Sequence, residues 1–182
     1  LINLTKYGLM EWGVLYLQGG RGYSLETASW IIGFSAVFAI LGTVGAGWLS
    51  DVVFRGNRVR PALVSGLVAL VALALFLFAD GDKVTMAIYV SVFSLAIGVL
   101  YCVVSGLMAI DSLPRKATGA ALGVVGISSY MTIGLQNIIS GLLIDRNMTA
   151  EGYNFTPVAI FWLLAVLLSF VIPILNVKKL NS

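Results

Sequence analysis

The twelve residues GWLSDVVFRGNR, Gly47 to Arg58, stand between two apolar runs at 27–50 and 61–79. Asp51 closes the first run, and Arg55, Arg58 and Arg60 precede the second. So short a connection with three cations reads as a turn between two membrane-crossing helices on the cytoplasmic side, where positive loop charge is retained. The same pattern continues outward in both directions. Apolar stretches lie at roughly 2–18, 27–50, 61–79, 84–109, 118–144 and 158–176. Each is within or slightly above the ~17–25 residues a spanning helix needs. The connections at 51–60 and 110–117 and the tail hold seven cations, whereas those at 19–26, 80–83 and 145–157 hold one each, Arg21, Lys83 and Arg146. Six spans put both ends of the chain and the basic loops in the cytoplasm.

Composition agrees. Of the 182 residues 59% are hydrophobic and 10% charged, with a mean hydropathy of +1.00, against about a quarter charged in soluble domains. Little is left over for a soluble domain. The chain is read as an all-α membrane protein that partners the lipid bilayer. It begins at Leu1 with no basic flank before the first apolar stretch, which is read as a chain cut near the start of a helix rather than a signal peptide. A lone cysteine, Cys102, and the absence of histidine argue against zinc, haem or nucleophilic chemistry. No phosphate-cradling loop for ATP is present, so neither a cofactor nor an enzymatic activity is expected. The net charge of +3 is explained by topology and calls for no nucleic-acid partner.

The two halves echo one another. The second apolar stretch ends in GWLSD (Gly47 to Asp51) and the fifth in GLLID (Gly141 to Asp145). Each is the middle member of a triplet, about 1–79 and 84–176. Three spans per copy invert the second copy in the membrane, the 3+3 arrangement of many secondary transporters. The pairs Gly42/Gly45 and Gly119/Gly123 are spaced for close helix contact.

Three segments carry a resemblance to a known family: TKYGLMEW (Thr5 to Trp12), the loop Ser50-Asp51 with Phe54-Arg55-Gly56-Asn57-Arg58, and IDSLPRKATGAALG (Ile110 to Gly123). The loop resembles the signature between the second and third helices of a major facilitator half. Together the segments resemble the C-terminal half of the organophosphate:phosphate antiporter family. The resemblance implies that 1–182 is one six-helix bundle of a twelve-helix transporter, with an N-terminal six-helix half as its partner. It further implies organophosphate and inorganic phosphate as ligands and the bacterial inner membrane as location. The family's glycerol phosphate and hexose phosphate carriers commonly have arginine where Lys6 stands, and LYCVVSG (Leu100 to Gly106) lacks the Gly-Pro of many members. Lysine keeps the charge without the planar fork of arginine.

Lys6 is the residue that lipid penalises most. If Gln18 marks the outer edge of its helix, twelve residues put Lys6 about 18 Å inward, near the middle of the hydrocarbon. A cation there costs ~2.5–3.5 kcal/mol on insertion scales and usually faces a cavity or a partner. The resemblance makes it the phosphate-binding cation; the alternative is an orientation signal at the cytoplasmic interface. On a helical wheel Asn3, Lys6, Met10, Gly13 and Leu17 form one stripe, assigned to the central cavity. Tyr101 and Tyr130, deep in their helices, are candidates for the same cavity, whereas Tyr7 and Tyr16 are substrate donors or interface anchors. Glu11, about 140° around the helix from Lys6, answers to a neighbouring helix or an external gate. Asp51 with Arg55 and Arg58 forms a candidate gate, bridged while the cytoplasmic side is closed and parted when it opens. Asp111 with Arg115 and Lys116 repeats the theme. The expected activity is exchange of an organophosphate for phosphate by alternating access; the rival is a receptor that binds hexose phosphate and signals to a sensor kinase.

Overall fold

A computed structural model describes residues 2–55, 57–107, 118–149 and 152–180. Among these residues there are six α-helices: α1 (Ile2–Arg21), α2 (Leu25–Trp48), α3 (Val59–Phe78), α4 (Lys83–Tyr101), α5 (Thr118–Arg146) and α6 (Thr156–Leu180). A two-residue antiparallel ladder, β1 (Met148–Thr149) with β2 (Gly152–Tyr153), joins α5 to α6. Four helical stretches, Leu25–Val53, Val59–Phe78, Lys83–Leu107 and Thr118–Arg146, are long and apolar enough to cross a membrane, and Thr156–Val171 is a shorter apolar helix. The chain is a multi-pass membrane protein. Polar residues, Lys6 and Glu11 among them, keep α1 outside that set.

Local chemistry sets the ends of these helices. Ser24 accepts a hydrogen bond from the Thr27 amide and Asp82 accepts from the Thr85 amide and hydroxyl at 3.0 and 2.6 Å, so each begins its helix by satisfying an otherwise unpaired amide. Those bonds hold the Asp82 carboxyl below the usual carboxylate range. Asn57 accepts from the amides of Val59 and Arg60 at the start of α3. Gly22, at φ +71°, ends α1: its amide donates to the Gln18 carbonyl at 3.1 Å, a left-handed cap that a side chain would strain.

Two helices change pitch at their C-terminal ends. Leu49–Val53 after α2 and Cys102–Leu107 after α4 are π-helical, the first closed by the Phe54 amide donating to the Leu49 carbonyl five residues back. Such turns are rare and frequent at functional positions.

Packing places α2 along α4, α3 along α4 and α6, and α1 against α2, α5 and α6. Trp162, Phe76, Phe93, Leu73 and Met86 fill the core. The tightest approach is α2 on α4. A Cβ at Gly42 would lie 2.1 Å from the Leu95 carbonyl oxygen, and one at Gly98 2.5 Å from that of Ala39. This corrects the glycine reading in part: Gly42 is a contact, but Gly45, Gly119 and Gly123 have open space where a side chain would go. Gly42 meets the backbone of α4. On the opposite side of α2, Trp30, Phe34, Val37, Leu41, Val44 and Trp48 make an exposed stripe at helical spacing.

Candidate substrate site

The site begins with Lys6, half-buried on α1. Its Nζ sits 5.3 Å from the ring centre of Tyr101 and 5.7 Å from that of Tyr7. Ring faces attract a cation by about 0.5–2 kcal/mol but leave its charge in place. No carboxylate pairs with Lys6 among the described residues, where the ion pairs are Arg21 with Asp80 and Arg58 with Asp51. The Lys6 ammonium is thus half-buried beside two tyrosine rings.

Lys6 borders a narrow crevice between α1, α2 and α4 with Met10, Ser35 and Ser94. One turn towards the N-terminus, Asn3 borders a cavity of about 270 Å³ between α1, the turn after α4, α5 and α6. The structure thus brings Asn3, Lys6, Met10 and Tyr101 to the N-terminal half of α1. The stripe does not continue outward as a cavity wall. Leu17 is fully buried, and a Cβ at Gly13 would lie 2.8 Å from Ile32, so that half of the stripe packs against α2. Tyr130 stands apart, 77% exposed on α5, bordering neither the crevice nor the cavity.

In the loop after α2, Arg58 donates to Asp51 and, at 2.8 Å, to the buried Ser50 hydroxyl. Asp51 lies within the π-helical turn, so the bridge ties that turn to the start of α3. Arg55, at φ +52°, joins no ion pair among the described residues. Asp111, Arg115 and Lys116 lie outside the described residues. Glu11 is exposed and has no hydrogen-bond partner among the described residues, contrary to the expectation of a bond to a neighbouring helix; its neighbour Trp12 makes that bond, donating to Asn137 at 3.1 Å. Tyr16 is buried rather than an interface anchor, its hydroxyl donating to the Leu77 carbonyl at 2.6 Å.

A second polar cluster escaped the sequence reading. Gln136 and Trp162 both donate to the Ser140 hydroxyl, at 3.0 and 3.1 Å, and Thr5 donates to the Trp162 carbonyl at 3.3 Å. All four are buried, and Gln136 Oε1 has no partner. Gln136 and Ser140 are one turn apart on α5, a spacing in the sequence that could have pointed to them.

The described residues thus form a helical membrane bundle with a half-buried cation and a polar cavity along one helix, and comparison with known proteins finds relatives among membrane transporters. The chain is related to bacterial phosphate-ester transporters. A glycerol-3-phosphate transporter of Bacillus subtilis is 28% identical over 148 residues, 80% of this chain and 33% of that protein. A hexose-6-phosphate:phosphate antiporter of Salmonella typhimurium is 30% identical over 132 residues, 71% of this chain and 27% of that protein. The membrane sensor protein UhpC of the same organism is 28% identical over 138 residues, 74% and 30%. The chain spans about a third of the length of the curated relatives it matches. No protein-family model matches it. By name these relatives transport, exchange or sense, and none is an enzyme. The resemblance read in the sequence to organophosphate:phosphate antiporters is upheld.

Proposed function

We propose that this chain is one six-helix bundle of a secondary transporter that exchanges a small phosphate ester for inorganic phosphate by alternating access in the bacterial inner membrane. The observation that carries the reading is Lys6, a half-buried cation on α1 with tyrosine rings around it and no carboxylate partner among the described residues. Phosphate esters are mostly dianionic at neutral pH, and a site whose cations lack counterions disfavours reorienting while empty. Exchange rather than net uptake follows. All six helices span, α1–α3 and α4–α6 being the inverted triplets, with both ends cytoplasmic. A second six-helix half, amino-terminal to this one, covers the exposed stripe of α2 and supplies the remaining groups of the site. Asp51 and Arg58 are gating residues on the cytoplasmic side, with Arg55, Asp111, Arg115 and Lys116 as further candidates. Tyr130, exposed on α5, meets substrate only when that second half is in place.

The named antiporter and glycerol-3-phosphate transporter among the relatives support the reading. The sensor among them supports a second one, a receptor that binds hexose phosphate without carrying it. Both use the same cation. In the full-length protein Lys6→Ala abolishes phosphate-dependent thermal stabilisation and exchange in proteoliposomes, while Lys6→Arg retains both with an altered preference among esters. Wild-type phosphate binding by Lys6→Ala would remove Lys6 from the site. Binding without exchange by the wild type would select the receptor.

A further inference from the structure

Where α1 and α3 finish, a pocket of about 280 Å³ stands between them and the start of α6. Its polar wall is Arg21, Tyr153, Asn154 and Thr156, its apolar wall includes Leu77 and Phe78, and no carboxylate lines it. The Arg21 side chain is largely covered, at 16% exposure, whereas its ion-pair partner Asp80 is fully exposed. Nε donates to Tyr16, Nη2 to two carbonyls and Nη1 to Asp80. That commits four of the five N–H groups of an arginine and leaves one on Nη1. Asn154 uses its Oδ1 to accept from the Thr156 amide, so its Nδ2 donors are uncommitted. The hydroxyls of Tyr153 and Thr156 bond to no described residue. A cation and three side chains with free donors thus share one pocket.

Hydrocarbon begins beside it. Phe78 is the last residue of α3, a helix long and apolar enough to cross a membrane, so the pocket lies where an apolar span gives way to water. Leu67, Val71, Leu75 and Phe78 are exposed and form one stripe of α3 at helical spacing, ending at the pocket wall. From Leu67 to Phe78 the stripe rises ~16 Å, about one leaflet of a ~30 Å hydrocarbon core. Donors and a cation at headgroup depth, continuous with a leaflet's length of apolar surface, fit a ligand that has an anionic head and a hydrocarbon tail. A soluble anion would leave the stripe uncovered. A zwitterionic head would bring an ammonium to a wall without a carboxylate. We propose that this pocket holds the headgroup phosphate of an anionic phospholipid, with one acyl chain laid along the α3 stripe. Arginine and amide donors suit phosphate oxygens. Bound there, the lipid bridges α1, α3 and α6 and stabilises the bundle by mass action.

The test is the melting temperature of the full-length protein in an uncharged detergent, titrated with phosphatidylglycerol, with phosphatidylcholine of the same acyl chains, or with inorganic phosphate. Phosphatidylglycerol stabilises wild type at about a tenth of the amount that phosphatidylcholine needs, the equivalent of one charge-assisted hydrogen bond. Asn154→Asp keeps an acceptor for the Thr156 amide, and with it the start of α6, but puts a negative charge where the donor was. It brings the ratio close to one without moving the lipid-free melt. Tyr153→Phe removes no hydrogen bond between described residues and lowers the ratio by less. Equal stabilisation of wild type by the two lipids overturns the proposal. So does a preference for phosphatidylglycerol that survives Asn154→Asp or, where that variant does not fold, survives Tyr153→Phe. Stabilisation by inorganic phosphate that Asn154→Asp removes overturns the lipid as occupant and makes the pocket a site for a soluble anion.

Discussion

At the end of the bundle where α1 and α3 finish, Arg21 fastens α1 to the end of α3 with charge, whereas deeper in the bundle α2 and α4 are fastened by the lack of side chains. Arg21 donates to Asp80 at 2.6 Å and to the carbonyls of Ala79 and Leu77 at 2.8 and 3.1 Å, and to the Tyr16 hydroxyl at 3.3 Å. Carbonyls at a helix end lack partners within the helix, and here one guanidinium supplies them. Between α2 and α4 there is no such group. Gly42 and Gly98 let the two backbones touch, and the Thr43 hydroxyl reaches the Gly98 carbonyl only at 3.5 Å. The difference follows the solvent: near water a charge is inexpensive to hold and bonds directionally, while in hydrocarbon helices associate through close packing of small residues. The Asp51–Arg58 bridge belongs to neither kind. It ties residues seven apart in sequence and joins no distant helices.

The strongest challenge to this contrast is Gly42→Ala. The new methyl would meet the Leu95 carbonyl oxygen, a backbone atom that cannot swing aside, so α2 must move off α4. A loss of roughly 3 kcal/mol, at the upper end for overpacking, is expected as a clear drop in melting temperature in detergent. An unchanged melt would mean the crossing is not tight. Arg21→Met comes next. It strips two carbonyls and a carboxylate of their donor, and a loss of about 2–3 kcal/mol is expected by the same measurement. Asp80→Asn should cost much less, since Asp80 is fully exposed and the backbone bonds of Arg21 survive. Gly45→Ala, with open space around it, should stabilise by a few tenths up to about 1 kcal/mol through helix propensity. A loss there would put an unseen neighbour beside Gly45. Smallest in stability, at under about 1 kcal/mol for an exposed pair, is Asp51→Asn. Its effect should fall instead on the rate of interconversion between access states, seen as slowed exchange with ligand affinity retained; normal exchange would make Asp51 a topological residue.

Helix placement was legible because membrane helices announce themselves by length and apolarity, and the six stretches match α1 to α6 to within a few residues at most ends. The π-helical turns were not, since nothing in LSDVV or CVVSGL distinguishes one ring size from another in a run of apolar residues. Lys6 and Tyr101 were legible as a pair of oddities in apolar surroundings, although only the fold shows them meeting. Arg21 was read as one cation in a sparse loop, because its role depends on carbonyls 56 and 58 residues away. The serine and threonine wall of the cavity beside Asn3, with Ser105, Ser128, Thr132 and Ser169, was passed over for a related reason. Hydroxyls are ordinary in membrane helices, and these share one space only because α1, the turn after α4, α5 and α6 converge on it.

One consequence follows from α1 carrying both the Lys6 ammonium and the Arg21 clasp. The two lie fifteen residues apart on a continuous helix, about 22 Å of axial rise. With the outer end pinned at Arg21 and the inner end bordered by the crevice and the cavity, α1 is a lever whose fulcrum sits far from its load. A tilt of about 5° at the clasp swings Lys6 sideways by about 2 Å over that length, enough to make or break a hydrogen bond. Loosening the fulcrum should therefore blur the position of the cation, so that, on the function proposed above, damage at the Arg21 end is read out as poorer ligand discrimination at Lys6.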